Sequence, residues 1–483
     1  MKKLFTILAA LFVAVSCSSD DGDNTNDEDV VIVTLEGTTF SLSEFERYTF
    51  PATDTWIIDN QSATTEEFAG LSAALEYISG ADYSRKIVLE LTNLTEIPEY
   101  AIFGEMVNNG SRNFGALVEL SAPNATTIGA YAFEYCSKVT QYDLPEVEYI
   151  GVGAFKGCSS LASIDLPKAV DIAASAFSGC SSISGVELPL AEDIRTQAFL
   201  QCKSLETLEL PSALAIESAA FAYCTALTTV DLPEVLSIGD YAFCDCLLLT
   251  SVSFPALESI EKCAFSTCES LESLTLPSTL SYIGAGLFND STALTTLDIE
   301  GSTFIIDNGI VYNADQSEAV AALCAVVSGD VALPSSVIQI SDRLFYGCTQ
   351  LSSIDLPSVD VVSNMAFAYC NTLVSATLSA AYELQSDAFY RCDMLETFDA
   401  PMLTIIGSKV FYDCDALTSM SFATAPGVAL ESIEEDAFEK ANLLSAVLTV
   451  GSANDDYVTY GHTLTVGDFS ITFDEIDVLD TYM

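Results

Sequence analysis

Ala198-Phe199-Leu200-Gln201-Cys202 is followed, one period on, by Ala220-Phe221-Ala222-Tyr223-Cys224, and both belong to a longer series. That series runs Phe133/Cys136, Phe155/Cys158, Phe177/Cys180, Phe199/Cys202, Phe221/Cys224, Phe243/Cys246 and Phe265/Cys268, each phenylalanine 22 residues after the last. A constant step over so many copies means one supersecondary unit repeated in tandem, because a single unit cannot bury its apolar face alone and must stack on neighbours. The step then falters. Phe288 follows Phe265 by 23 residues, with Ser291 in the cysteine slot, and 57 residues separate it from Phe345/Cys348. Phe367/Cys370, Phe389/Cys392 and Phe411/Cys414 restore the period of 22. The gap therefore holds one repeat with about a dozen extra residues. Phe438, with Ala441 in the cysteine slot, is a worn last copy, and the stretch from Thr95 to Phe103 is a worn first one.

Within a repeat, Leu205-Glu206-Thr207-Leu208-Glu209-Leu210 ends in an alternation of polar and apolar residues. That alternation marks a strand with one buried face. Pro211 closes it, since proline has no N–H to give to a ladder. The segment Ile194-Arg195-Thr196-Gln197-Ala198-Phe199 is too short for a stable helix of its own and is expected to form a turn of helix or irregular coil on the opposite wall. Stacked copies predict a parallel sheet along one side with rungs roughly 4.8 Å apart, a dozen of which span about 60 Å. The fold class is thus α/β to mainly β, with short helical or irregular segments opposite the sheet.

The repeats resemble the BspA-like, or Treponema-type, leucine-rich repeats. Their pattern is met almost letter for letter by Leu161-Ala162-Ser163-Ile164-Asp165-Leu166-Pro167 and by Ile238-Gly239-Asp240-Tyr241-Ala242-Phe243-Cys244-Asp245-Cys246. The interrupting segment Asp307-Asn308-Gly309-Ile310-Val311-Tyr312-Asn313 is similar to an insertion that recurs in the family. What the resemblance implies is a leucine-rich-repeat solenoid over residues 91–440 and a cell-surface binding or adhesion protein without enzymatic activity. The partners of the family vary, so no ligand is carried over.

The leader says where such an array would be displayed. Lys2 and Lys3 precede an apolar run at 4–15, and Ala14-Val15-Ser16-Cys17 matches a lipoprotein signal that leaves Cys17 to carry lipid. The run is shorter than the roughly 20 residues a membrane-spanning helix needs; a plain secretory signal is the alternative. Residues 18–29 carry no apolar side chain and are expected to be a solvated tether. Their acidic character resembles the surface-export signal of Bacteroides-type lipoproteins, which implies lipid-anchored display on the outer membrane. The expected organisation is a signal at 1–16, a tether at 17–29, an N-terminal cap at 30–90, repeats at 91–440 with an insertion at about 301–330, and a C-terminal cap at 441–483. In the N-terminal cap, Thr64-Thr65-Glu66-Glu67 is a capping box and Phe68, Leu71, Leu75 and Ile78 share one helical face, with a strand following at 86–91. Trp56, the single tryptophan, reads as cap core, with a carbohydrate platform as the alternative. The C-terminal cap reads as strands at 443–450 and 458–473.

The mature chain would hold 69 acidic and 14 basic side chains, a net charge of −55. That balance excludes nucleic acid and anionic lipid surfaces, both of which need a positive field. Part of the charge is ordered. Asp143, Asp165, Glu187, Glu209 and Asp231 occupy one strand position in consecutive repeats, joined further on by Asp298, Asp355 and Asp399. A neighbouring column is rich in hydroxyls, with Ser163, Thr207 and Thr229 around Gly185. Like charges about 5 Å apart repel. The column is either an acidic face for a basic protein segment, a glycan or calcium, or a device for solubility. The insertion, with Phe304 and Tyr312, is a second candidate site.

Eleven of the 15 cysteines share one phase of the repeat, and Cys244, Cys263 and Cys324 are extras beside Cys17. Cysteines at one phase point the same way on successive rungs, too far apart for the roughly 3.8 Å between Cβ atoms that a disulfide needs. Most are expected free and buried, with Cys244 the most exposed. One cysteine per rung supplies no tetrahedral metal set, and His462 is the single histidine. A Ser-His-Asp or Cys-His site would have to use it. Stacked near-identical carboxylates offer no separation of pKa values for acid/base work. No cofactor or metal is expected, and the function expected is that of a non-enzymatic surface binder for protein or glycan. The alternative is a structural spacer in a surface complex.

Overall fold

The computed structural model describes residues 94–102 and 117–441 continuously, and beyond them mainly the backbone of strands flanking the repeats. The leader, Cys17, the expected cap helix around the capping box, and His462 lie outside the described residues. The chain divides into two compact units, Met1–Ala256 and Leu257–Met483.

In the first unit the coils from Lys86–Leu91 onward each contribute two parallel strands. The longer ones, Gln141–Asp143, Ser163–Asp165, Gly185–Glu187, Thr207–Glu209, Thr229–Asp231 and Ser251–Ser253, follow the wider strands Thr53–Ile58, Lys86–Leu91 and Leu117–Ser121. Register is one period per rung: Ile164 lies beside Val186, and Leu208 beside Val230. The backbone of Trp56 lies beside Leu89 in the strand expected at 86–91. The second set consists of two-residue strands, from Glu96–Ile97 through Tyr149–Ile150 and Asp193–Ile194 to Ser237–Ile238. The isoleucine of each is buried, so this wall too is a sheet with one face in the core.

The wall opposite the long strands is therefore not helical, and no α-helix occurs among the described residues. The fold is mostly β. The reason lies on either side of each Ala-Phe pair. Tyr131 and Tyr135 around Phe133 have φ of 55° and 61°, and the same two slots in later coils hold Gly153 and Gly157, Gln197 and Gln201, and Ala219 and Tyr223, all at positive φ. Each residue in the left-handed region ends a right-handed turn before a helix can propagate. Hydrogen bonds divide accordingly. Ala132, Glu134 and Cys136 donate three residues back, to Gly129, Tyr131 and Phe133, while Tyr131, Phe133 and Tyr135 donate to Val152, Ala154 and Lys156 of the next coil. The turns thus form a third inter-coil ladder, which gives these N–H groups their partners.

The core is built from the repeated pair. The rings of Phe155, Phe177, Phe199 and Phe221 stack at centroid distances of 5.1, 5.0 and 5.2 Å, with interplanar angles of 11° or less. All four are fully buried. The carbonyl oxygen of Phe155 accepts the N–H of Cys158 at 3.1 Å and the thiol of Cys180, one coil on, at 3.1 Å. The same pattern recurs from Cys158 to Cys246 and again at Cys370, Cys392 and Cys414. Ser291 keeps the function of the slot: its hydroxyl donates to the Phe265 carbonyl at 2.7 Å and accepts the Cys268 N–H at 3.0 Å.

The second unit repeats this plan with two departures. Its long strands include Ser273–Leu276, Thr296–Ile299, Gly329–Ala332, Leu351–Asp355, Ser375–Thr377, Thr397–Ala400 and Ser419–Phe422, and the sheet ends with Val447–Gly451 and Glu475–Leu479 in parallel. The first departure is the insertion. Phe304–Asp307 and Ile310–Asn313 form a hairpin through Asn308-Gly309, both at positive φ as a two-residue turn requires. Glu318–Ala322 pairs antiparallel with it and leads back to the coil, placing Ala322-Leu323 where Ala-Phe would stand: Val326 donates to the Leu323 carbonyl as a cysteine N–H does elsewhere. The second is a lengthened last coil.

One cysteine departs from expectation. Cys348 is not free but forms a disulfide with Cys324, whose Cα lies 4.6 Å away. Cys324 stands outside the common phase, which is what lets it reach a neighbour on the next rung. Ten others of the phase, from Cys136 to Cys414, are buried and outside any disulfide. Burial pushes the Cys224 and Cys370 thiols up to about 12, from 9.0. A thiol whose folded value is raised keeps its proton after the unfolded chain has lost it, so stability is full below the unfolded value and falls as pH rises through the window from 9.0 to about 12. Denaturant titration at pH 8, 9, 10 and 11 should show the midpoint falling progressively above 9; a flat profile would contradict the buried protonated ladder.

Candidate binding surface

Alternation along each long strand turns one side chain in and the next out. In the first unit Ile164, Leu208 and Val230 enter the core, while Asp143, Asp165, Glu187, Glu209 and Asp231 stand exposed on the outer face. Asp165 is the register partner of Glu187, and Glu209 that of Asp231. Asp143 accepts the Ser121 hydroxyl at 2.7 Å. Among the described residues none of the five is in an ion pair. In the second unit the column is diluted: Asp298, Asp355 and Asp399 are exposed, with Thr377 between the last two.

Among the described residues, several of the few cations pair with other groups. Arg195 makes two hydrogen bonds to Asp171, at 2.7 and 3.1 Å, on the short-strand wall. Lys156 pairs with Glu134 at 3.0 Å, and Lys168 with Glu146. In the second unit Arg343 and Lys440 cover the faces of Tyr346 and Tyr412 at 5.2 and 4.7 Å, and Tyr346, Tyr369, Tyr390 and Tyr412 form a ring ladder along the turns. The turn wall is thus aromatic and internally compensated, whereas the long-strand face of the first unit is an uncompensated row of carboxylates.

That row has a notch which its spacing did not announce. Gly185 stands where neighbouring coils have Ser163 and Thr207, and a Cβ built there would meet nothing within 4 Å. Val186 is left partly exposed, although its counterparts Ile164 and Leu208 are buried. The result is a depression of about 340 Å³ lined by Ser163, Asp165, Gly185, Val186, Glu187 and Glu209. An apolar floor ringed by three carboxylates suits a lysine or arginine, whose aliphatic stem seeks apolar cover while its head keeps polar partners.

The insertion residues behave differently. Phe304 and Tyr312 are 9% and 3% exposed and face inward, so neither offers a contact surface. Burial raises the Tyr312 hydroxyl to about 12. Cys244 is half-buried, its thiol donating to Asp245 at 3.0 Å. Among the described residues no group of three His, Cys, Asp or Glu side chains is placed to hold a metal ion.

The family model for BspA-type leucine-rich-repeat regions matches residues 126–246, 236–322 and 324–445. No curated protein matches the sequence. Among solved structures, a leucine-rich cell-surface protein from Faecalibacterium prausnitzii is similar at 20% identity and a TM-score of 0.47, over 69% of this chain and 84% of that one. A leucine-rich-repeat protein from Bacteroides ovatus matches at 22% identity and a TM-score of 0.43, over 81% and 92%. The pneumococcal vaccine antigen PcpA matches at 14% and 0.41, over 95% and 98%.

Because a side chain at position 185 has open space and a strand to join, Gly185→Thr should raise stability by about 0.5–1 kcal/mol in denaturant titration. Any loss of stability would show that the depression is a packing requirement and not spare surface.

Proposed function

Since the chain belongs to the BspA-type leucine-rich-repeat family, we propose that it is a non-enzymatic binding protein of the bacterial surface whose outer long-strand face, in residues 141–231, holds a cationic segment of a partner protein. The observation that carries this reading is the row of five exposed carboxylates which, among the described residues, form no ion pair, while Lys156 and Arg195 pair with other carboxylates. Like charges set side by side destabilise a sheet. A cationic partner relieves that repulsion on binding, and the Gly185 depression gives one of its side chains a seat. A net charge of −53 steers such a partner from a distance and does so less as salt screens it.

Display rests on the leader. Cleavage before Cys17 and lipid attachment to it would anchor the mature chain to the outer membrane, with residues 18–29 as a tether. Protease added to intact cells should then remove the protein, and Cys17→Ala should release it from the membrane fraction; full protection from protease would put it in the periplasm instead.

The face itself is tested by converting Asp143, Asp165 and Asp231 to Asn and Glu187 and Glu209 to Gln together. Binding of a lysine- and arginine-rich peptide should weaken by about tenfold or more and lose part of its salt dependence. A control with the same charge change at the exposed Glu99, Glu148, Glu192, Glu234 and Asp240 should bind as wild type. Equal loss in both variants would reduce the effect to net charge.

A further inference from the structure

The interval from Phe411 to Phe438 is 27 residues, five more than the period. The surplus lies in one turn. In the preceding coil three residues lead from Ala400 to the buried Leu403, whereas here the chain runs from Phe422 to Leu430. The additional residues form a bulge with Ala423 and Gly427 at φ of 51° and 81°. It is tied down at both feet: Ala425 donates to the Pro401 carbonyl at 3.0 Å and Glu431 to that of Thr404 at 2.8 Å, with Val428 closing back on Ala425 at 3.1 Å. The bulge is one wall of a cleft of about 760 Å³, and Tyr382, Met402 and Thr404 of the two preceding coils form the other. Tyr382 is 43% exposed and Met402 40%, so both present apolar surface to the cleft.

We propose that this cleft is a subsite for one residue of a neutral glycan. It is an open cleft whose lining combines apolar side chains with a few convergent polar groups. Tyr382 and Met402 offer an apolar and partly aromatic wall, and an aromatic face attracts the polarised C–H groups of a sugar ring. The Glu431 carboxylate and the Thr404 hydroxyl supply acceptors for ring hydroxyls, and the Thr404 hydroxyl is already oriented by its bond to the Tyr382 carbonyl at 3.3 Å. Charge selects within the class. The lining holds a carboxylate and no cation, in a chain of net charge −53, so sialylated, sulfated and uronic sugars are repelled. A purely apolar guest would desolvate Glu431 without giving it a partner. The site does not depend on the acidic column, and losing those five carboxylates leaves it intact.

The test is saturation-transfer NMR on the full chain with the methyl glycosides of glucose, galactose, mannose and N-acetylglucosamine, beside methyl glucuronide and N-acetylphenylalanine amide. At least one neutral glycoside should bind with a dissociation constant on the order of 1 mM. Tyr382→Ala should weaken it about tenfold or more and Glu431→Gln several-fold, while Tyr369→Ala, a tyrosine of similar exposure on the turn wall, should leave it unchanged. The proposal fails if no neutral glycoside binds, if glucuronide binds equally well, or if the loss of Tyr382 and Glu431 makes no difference. Binding of the phenylalanine amide alone would make the cleft a peptide pocket and overturn the glycan assignment.

Discussion

A buried carbonyl oxygen has two lone pairs, and in a dry core both want a partner. The repeated phenylalanine carbonyl receives one bond from the N–H of the cysteine three residues on and another from the thiol of the next coil. Much of the molecule follows from that demand. The cysteine must keep a fixed distance from the phenylalanine, and each coil must return in register with the last. The thiol must stay protonated and unoxidised, because a disulfide sulfur has no proton to give. Ser291 shows that a hydroxyl serves where the thiol is replaced, and Cys348 that the requirement yields beside the insertion.

The period and the alternation were legible because they leave a mark on residue type. Phenylalanine, cysteine, isoleucine and proline recur at fixed phases, and an outward carboxylate cannot be mistaken for core. The second sheet left no such mark, since a two-residue strand has one inward position and no alternation to read. The turns were equally silent. Left-handed positions commonly announce themselves as glycine, but here the slot holds Tyr131, Ser175, Gln197, Ala219, Asp387 or Lys409. Hydrogen bonds to the next coil hold those residues in place, and that compensation depends on the stack and not on the residue.

The candidate surfaces divide the same way. The acidic column was visible in the spacing of Asp143 to Asp231, whereas the Gly185 depression required knowing that Val186 lies beneath it. Phe304 and Tyr312 drew attention as aromatic residues in an irregular segment, yet irregular segments bury aromatics too. The lengthened last turn was countable as 27 residues between phenylalanines, but only its placement against Tyr382 and Met402 makes it a cleft.

The three inter-coil ladders also decide how the molecule answers a mechanical load. All run in one direction, so tension applied along the stack opposes the two sheets and the turn ladder of a coil at the same moment, and a coil resists or detaches as a unit. Each detachment would release 22 residues, or about 75 Å of slack. The Cys324–Cys348 bond, spanning 24 residues, withholds slightly more than one whole coil from that extension. A stack built this way would lengthen in discrete steps under load, with a covalent stop set beside the insertion.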